Sequence, residues 1–146
     1  MLFSVQSISK AISYGMVLED LGPEIVHKYV GHEPSGVAFN AICLNPKNQP
    51  HNPMINAGAI MVSSLLKPQL ADSARYNYIR EFWERLTAGS KINIDNSVFL
   101  SERKTAHNNF ALGYMMQARN SFPEGTDLHS ALEFYFMMCS FEANSE

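Results

Sequence analysis

The sequence predicts a mainly α fold in a single unit. Apolar residues recur at helical spacing in several stretches, Gly and Pro fall where helices should stop and start, and strand-like alternation is confined to one short run. With 46% hydrophobic and 11% aromatic residues in 146, the chain is large enough to bury a core and falls in the usual size range of one domain.

Taken in order, residues 5 to 18 set Ile8, Ala11, Ile12 and Met16 near helical spacing, and the stop follows in "DLGP". Pro23 can begin a short second helix, "PEIVHKYVG", closed by Gly31. "HEPSG" reads as a turn. "VAFNAICLN" alternates at Val37 and Phe39 and runs into the turn-rich "NPKNQPHNP", which predicts an extended arm or hairpin. Small and apolar residues from 56 to 66 predict a closely packed helix. From 71 to 86, Ile79, Phe82, Trp83 and Leu86 form an i, i+3, i+4, i+7 stripe. "TAGSKINIDNS" breaks that helix. Another is expected over 97 to 118, and a last one after "FPEGTD", with Thr126 or Asp127 as the cap.

A net charge of −3 with no run of Lys or Arg argues against nucleic acid or an anionic membrane as partner. The longest apolar stretch, "AGAIMVSSLL", is half of the roughly 20 residues a spanning helix needs, so no membrane span is expected. Cys43 and Cys139 belong to no ligand or disulfide framework. No metal or other cofactor is expected, and no targeting segment precedes residue 7. The five histidines, His27, His32, His51, His107 and His129, read as structural or surface residues.

The residues that invite a chemical reading begin with Ser7 and Lys10, three positions apart near the start. On a helix such a pair shares a face, close enough for an amine to take a proton from a hydroxyl. An exposed lysine is protonated at neutral pH and useless as a base, so the pair works only where burial strips the amine of water. Taken alone, Ser-x-x-Lys is common on ordinary helices. Gln6 reads equally as a surface polar residue, and Asn56, in "HNPMINAGAI", could equally cap a helix ahead of tight Ala-Gly-Ala packing. Glu102 and Asn109 stand seven residues apart, two turns of one helix, and would face the same way. In "EFYFMMC" the three aromatics cannot all point in one direction.

In company these pieces say more. "QSISK", "EPSG", "HNPMINAGAI", "SER" followed by "NNFALGY", and "FPEGTD" with "FYFMMCS" occur together and in order, and the set strongly resembles the serine-dependent glutaminases of animal kidney and liver type over essentially the whole chain. The resemblance implies the fold of serine β-lactamases and penicillin-binding proteins, of which this would be the helical central part with the flanking sheet strands largely missing. It implies hydrolysis of L-glutamine to L-glutamate and ammonia through an acyl-serine. By position, Ser7 would be the nucleophile, Lys10 its base and Tyr135 an aid to proton transfer, while Gln6, Ser7, Asn56, Glu102, Asn109 and Tyr135 would contact substrate. "KTAHN" between the "SER" and "NF" elements departs from the family wording, although the spacing is kept. The resemblance further implies a homo-oligomer, dimer or tetramer, and a mitochondrial address, with the cytoplasm as alternative.

On this reading residues 1 to 146 are a partial catalytic domain, truncated at both ends. A substrate-contacting tyrosine upstream, and a second tyrosine, an oxyanion donor and closing strands downstream, would lie outside it. The isolated chain is then expected to be inactive, prone to association, and short of the walls that dehydrate Lys10. Two rivals predict different things. A β-lactam or peptidoglycan-like substrate calls for Ser-Asp-Asn and Lys-Thr-Gly elements, and neither tripeptide occurs here. A non-catalytic homologue that binds full-length glutaminase subunits would use the arm around Phe39 and the stripe over 71 to 86.

Overall fold

The computed structural model describes residues 1–144. Seven α-helices and a small antiparallel sheet make up the described chain. The elements run β1 (Leu2–Ser4), a 3-10 turn (Gln6–Ile8), α1 (Ser9–Leu21), α2 (Pro23–Val26), α3 (Asn56–Leu65), α4 (Asp72–Leu86), β2 (Asn93–Ile94), α5 (Asn96–Lys104), α6 (His107–Ala118), α7 (Leu128–Cys139) and β3 (Phe141–Asn144). No helix among the described residues is long and apolar enough to cross a membrane.

Two helices form the centre. From Ala57 to Leu65 every residue of α3 is buried, and most of α7 is buried too, so neither carries the polar face of a surface helix. α3 packs on α7, α1 and α6. What lets α3 lie so deep is Gly58: a Cβ there would collide with the Asn52 carbonyl oxygen and the Pro53 Cα, both backbone atoms that cannot swing away. Gly58→Ala is expected to cost about 3 kcal/mol of folding stability, the upper end for overpacking, read as a shift in the denaturation midpoint.

The sheet has the order β1-β3-β2. β3 pairs with β1 through Leu2↔Asn144, Phe3↔Ala143 and Ser4↔Glu142, and with β2 through Asn93↔Glu142 and Ile94↔Phe141. Phe141 turns inward, fully buried, with its ring edge-on to Trp83 of α4 at 5.4 Å. Strands therefore stand on both sides of the Ser-x-x-Lys helix in sequence, where the composition suggested none. They are too short to show a period of two, and it is pairing across the chain that makes them strands.

Three further expectations are corrected. The stretch "VAFNAICLN" forms turns and bends rather than an arm or hairpin, with no strand in it. The helix expected over 97 to 118 is two: Thr105 ends α5, its hydroxyl bonded back to the Ser101 carbonyl at 2.9 Å, and α6 restarts after Ala106. The run Thr-Ala-His-Asn-Asn is mostly of poor helix formers, which lets the chain turn there. Glu102 and Asn109 thus sit on different helices, and two-turn spacing does not align them. The second helix stops at Val26, short of Gly31, because the His27 ring bonds the Val30 carbonyl at 2.9 Å and the chain tightens into turns. The bounds of α3 and α4 and the start of α7 lie close to those read from sequence, α1 runs from Ser9 to Leu21 and so sits later than the reading over 5 to 18, and Asp127, not Thr126, caps α7 by accepting from Ser130 N–H.

Candidate active site

Three helices converge on one amine. Lys10, in the first turn of α1, is only 4% exposed, and its Nζ donates to the Asn56 side-chain oxygen at 2.8 Å. Asn56 is the first residue of α3, and no side chain caps that helix, so the capping alternative fails and the amide is free for the site. Its nitrogen donates to Asn109 Oδ1 on α6 at 3.0 Å. Its oxygen also receives the Tyr135 hydroxyl from α7, at 3.4 Å. A single asparagine thereby fixes the relative positions of Lys10, Asn109 and Tyr135.

The electrostatics follow from this burial. Desolvation pulls the Lys10 amine below its ordinary pKa, opposed by Cys139 and Glu102 nearby. Desolvation pushes the Tyr135 phenol well above its ordinary range, so it stays protonated and acts as a donor. Phe39 closes the outer side of Lys10, with Nζ 5.5 Å from its ring centroid. The expectation that this chain lacks the walls to dehydrate Lys10 is therefore wrong: α1, α3, α7 and Phe39 suffice.

Ser7 and Gln6 occupy the mouth. Ser7 lies in the 3-10 turn that leads into α1 and is exposed. No hydrogen bond links its hydroxyl to Lys10, which turns to Asn56 instead, and its own N–H has no backbone acceptor among the described residues. A free N–H at a helix start is a ready donor to an oxyanion. Gln6 is also exposed, and its backbone has φ +46°, a left-handed conformation that costs energy for a residue with a side chain. Glu102, half-buried on α5, acts on Lys10, Tyr135 and Cys139 through its charge rather than by a hydrogen bond.

Of the aromatics in α7, Phe134, Tyr135 and Phe136 are all buried, and Tyr135 alone reaches the site. Sequence reasoning overlooked Ser9 and Cys139, which lie directly beneath it. Cys139 had a signal: it stands four residues after Tyr135 and so shares its helix face. The histidines form no part of the site. His27 bonds Tyr14 at 3.0 Å and His129 bonds Tyr114 at 3.1 Å. Among the described residues no cluster of His, Cys, Asp or Glu could hold a metal ion. The face around Ser7 is open. A hollow of about 570 Å³ lined by Tyr78, Phe82 and Arg85 lies on α4, away from it.

A family model described as Glutaminase matches residues 1–146. Putative glutaminase 2 of Caenorhabditis elegans is 46% identical over 145 residues, covering 99% of this chain and 24% of the worm protein. The mitochondrial liver isoform of glutaminase from Rattus norvegicus is 38% identical over 144 residues, covering 99% of this chain and 24% of the rat protein. The crystal structure of a probable glutaminase from Bacillus subtilis superposes with a TM-score of 0.87 at 34% identity, over 99% of this chain and 46% of that one. Worm, mammal and bacterium thus point one way, and this chain belongs to the glutaminase family. It spans about a quarter of the length of its worm and rat relatives and just under half of the Bacillus chain.

Proposed function

We propose that this chain supplies the nucleophile side of a glutamine-hydrolysing site, in the helical part of a serine β-lactamase-like fold. The observation that carries the reading is the buried amine of Lys10, bonded to Asn56 and held beside the mouth where Ser7 lies. Ser7 Oγ attacks the side-chain carboxamide carbon of L-glutamine while its proton passes to neutral Lys10. The free Ser7 N–H faces the developing oxyanion. The C–N bond then breaks, with Lys10 or Tyr135 delivering a proton so that ammonia departs, and a glutamyl ester remains on Ser7. Water hydrolyses that ester, releasing L-glutamate and restoring the hydroxyl.

Asn56, Asn109 and Gln6 offer amide groups to the α-carboxylate of the substrate, and Glu102, whose charge acts on Lys10, Tyr135 and Cys139, offers a carboxylate to its α-ammonium. Charges leaving water need such partners. The name of the rat relative supports mitochondria as the place of action.

The test is ammonia release from glutamine by the full protein that carries this chain, with Ser7→Ala beside it. Activity lost in the variant, together with labelling of Ser7 by an electrophilic glutamine analogue, is the expected result; hydrolysis that survives Ser7→Ala overturns the reading. The 146 residues alone are expected to bind the proton donor and acceptor groups correctly and still fail to turn over, since Ser7 is open to water and one oxyanion donor is provided. Ammonia release by the isolated chain, abolished by Ser7→Ala, would show that the remainder of the site is dispensable.

A further inference from the structure

Two buried residues that the proposed reaction does not use join the strained backbone at Gln6 to the Tyr135 side of the site. Ser9 is 1% exposed and Cys139 4%. Ser9 Oγ donates its single hydrogen to the Gln6 carbonyl at 2.7 Å, and the Ser9 N–H reaches the same carbonyl. Its hydrogen is therefore committed. In the 3.6 Å contact between Ser9 Oγ and Cys139 Sγ, the thiol must then be the donor. The thiol also interacts with the Tyr135 hydroxyl, whose one hydrogen is shared with Asn56 Oδ1 at 3.4 Å, and with the Lys10 amine through its charge. Cys139 is itself anchored, for its carbonyl accepts from Ser4 Oγ at 3.2 Å on β1.

The direction of these bonds gives them a purpose. A left-handed conformation at a residue with a side chain costs energy and persists only where its surroundings hold it. Gln6 has φ +46°, and its carbonyl is gripped twice by Ser9, which holds the residue in that conformation. That same peptide unit carries the Ser7 N–H, so its orientation sets where the oxyanion donor points.

Resting on the glutamine-hydrolase reading, we propose that Ser9 and Cys139 are positioning residues, a polar relay from the Gln6 carbonyl through Ser9 Oγ and Cys139 Sγ that aims the Ser7 peptide N–H and orders the Tyr135 hydroxyl. A thiol suits the place. It is a weak donor and a soft acceptor, bulky enough to fill the space under α1, and burial raises its pKa and keeps it protonated.

The experiment uses the full protein that carries this chain. Ser9→Ala, which removes one oxygen, and Cys139→Ala are each expected to lower kcat about tenfold with KM little changed, because the donor is misaimed and not lost. The double variant is expected to be no worse than the poorer single one, since both cut the same relay. Cys139→Ser, which restores a donor and an acceptor, is expected to recover most of kcat. Wild-type kcat in either alanine variant, or losses that multiply in the double variant, would overturn the proposal. Raman spectroscopy of the Cys139 S–H stretch, isolated as the difference from the Cys139→Ala spectrum, reads the relay without any turnover. The band is expected at the low frequency of a donating thiol and to move up in Ser9→Ala; a band that stays put also overturns it. Absence of glutamine hydrolysis by the unaltered protein would sink the glutaminase reading instead, and the Raman band would still decide the relay.

Discussion

Lys10→Met in the full protein is expected to slow acylation of Ser7 by about 100- to 10,000-fold, the usual worth of a positioned base, and at the same time to make the fold more stable. The two effects share one cause. Lys10 is 4% exposed, and desolvation lowers its pKa against the opposing influence of Cys139 and Glu102. The folded amine therefore holds its proton less tightly than the unfolded one. Between the two pKa values the unfolded chain binds more protons, so stability rises with pH across that window. The penalty is full below the folded pKa and vanishes above the ordinary lysine value of about 10.4. At neutral pH the chain carries it, and methionine, of similar length and without charge, removes it for a gain of about 1 to 2 kcal/mol. Asn56 Oδ1 is not orphaned by the change, because the Tyr135 hydroxyl already reaches it. The same depression predicts that acylation climbs as Lys10 loses its proton and levels off below the pH at which an exposed lysine would titrate. Equal melting of Lys10→Met and the parent at neutral pH, or a rate still climbing beyond the ordinary lysine pKa, would remove Lys10 from the role of base.

How much of this was legible in the sequence depended on whether the signal was local. The stripe Ile79, Phe82, Trp83, Leu86 gave α4 almost to the residue, and Gly22-Pro23 marked the end of α1 and the start of α2, because caps and periodicity are properties of neighbouring residues. The three strands escaped, since β1, β2 and β3 are each at most four residues long and exist only through pairs such as Phe3↔Ala143. The break at Thr105 escaped for a different reason: no Gly or Pro marks it, and the hydroxyl that closes α5 is a side-chain matter. At the site, the resemblance supplied Lys10, Asn56, Asn109 and Tyr135, and these are the four that the structure joins by hydrogen bonds. The alternative weighed for Asn56 was local, a helix cap, and it fails because no side chain caps α3 and the amide bonds across to α1 and α6. Ser9, Cys139 and the backbone of Gln6 were invisible, for a left-handed φ at a glutamine and a hydrogen bond across 130 residues leave no trace in composition.

Arg75→Met is expected to do the opposite of Lys10→Met and cost about 3 to 5 kcal/mol, enough to unfold much of the chain if its stability is typical. Both residues are buried cations, and Arg75 is 3% exposed, its guanidinium pulled down to about 10 by burial against the pull of Asp72 and Asp127, and so charged at neutral pH. What differs is the partner list. Arg75 Nε donates to the Leu66 carbonyl at 2.7 Å, Nη2 to the Ser63 carbonyl at 2.5 Å and Nη1 to Ser130 Oγ at 3.0 Å, while its plane lies 4.0 Å from the centre of the Phe134 ring. Both carbonyls lie at the C-terminal end of α3, where the helix dipole favours a cation; that of Ser63 also accepts the Leu66 N–H at 3.3 Å, while that of Leu66 relies on Arg75. Methionine would leave the Leu66 carbonyl buried with no donor, at about 1 to 3 kcal/mol, and would also remove the bonds of a charged donor to Ser63 and Ser130, about 1.5 to 3 kcal/mol each, which together outweigh the relief of removing one charge. Arg75→Lys, keeping the charge and losing the fork, is expected to recover only part of the deficit. The consequence reaches the site: α3 carries Asn56 at its other end and α7 carries Tyr135, so the guanidinium that ties Ser63 to Ser130 fixes the two helices whose side chains meet at Lys10. Denaturant melts of the three proteins decide it; a loss under about 1 kcal/mol in Arg75→Met would mean that water or a shifted neighbour replaces those bonds and that the pairing of α3 with α7 does not depend on them.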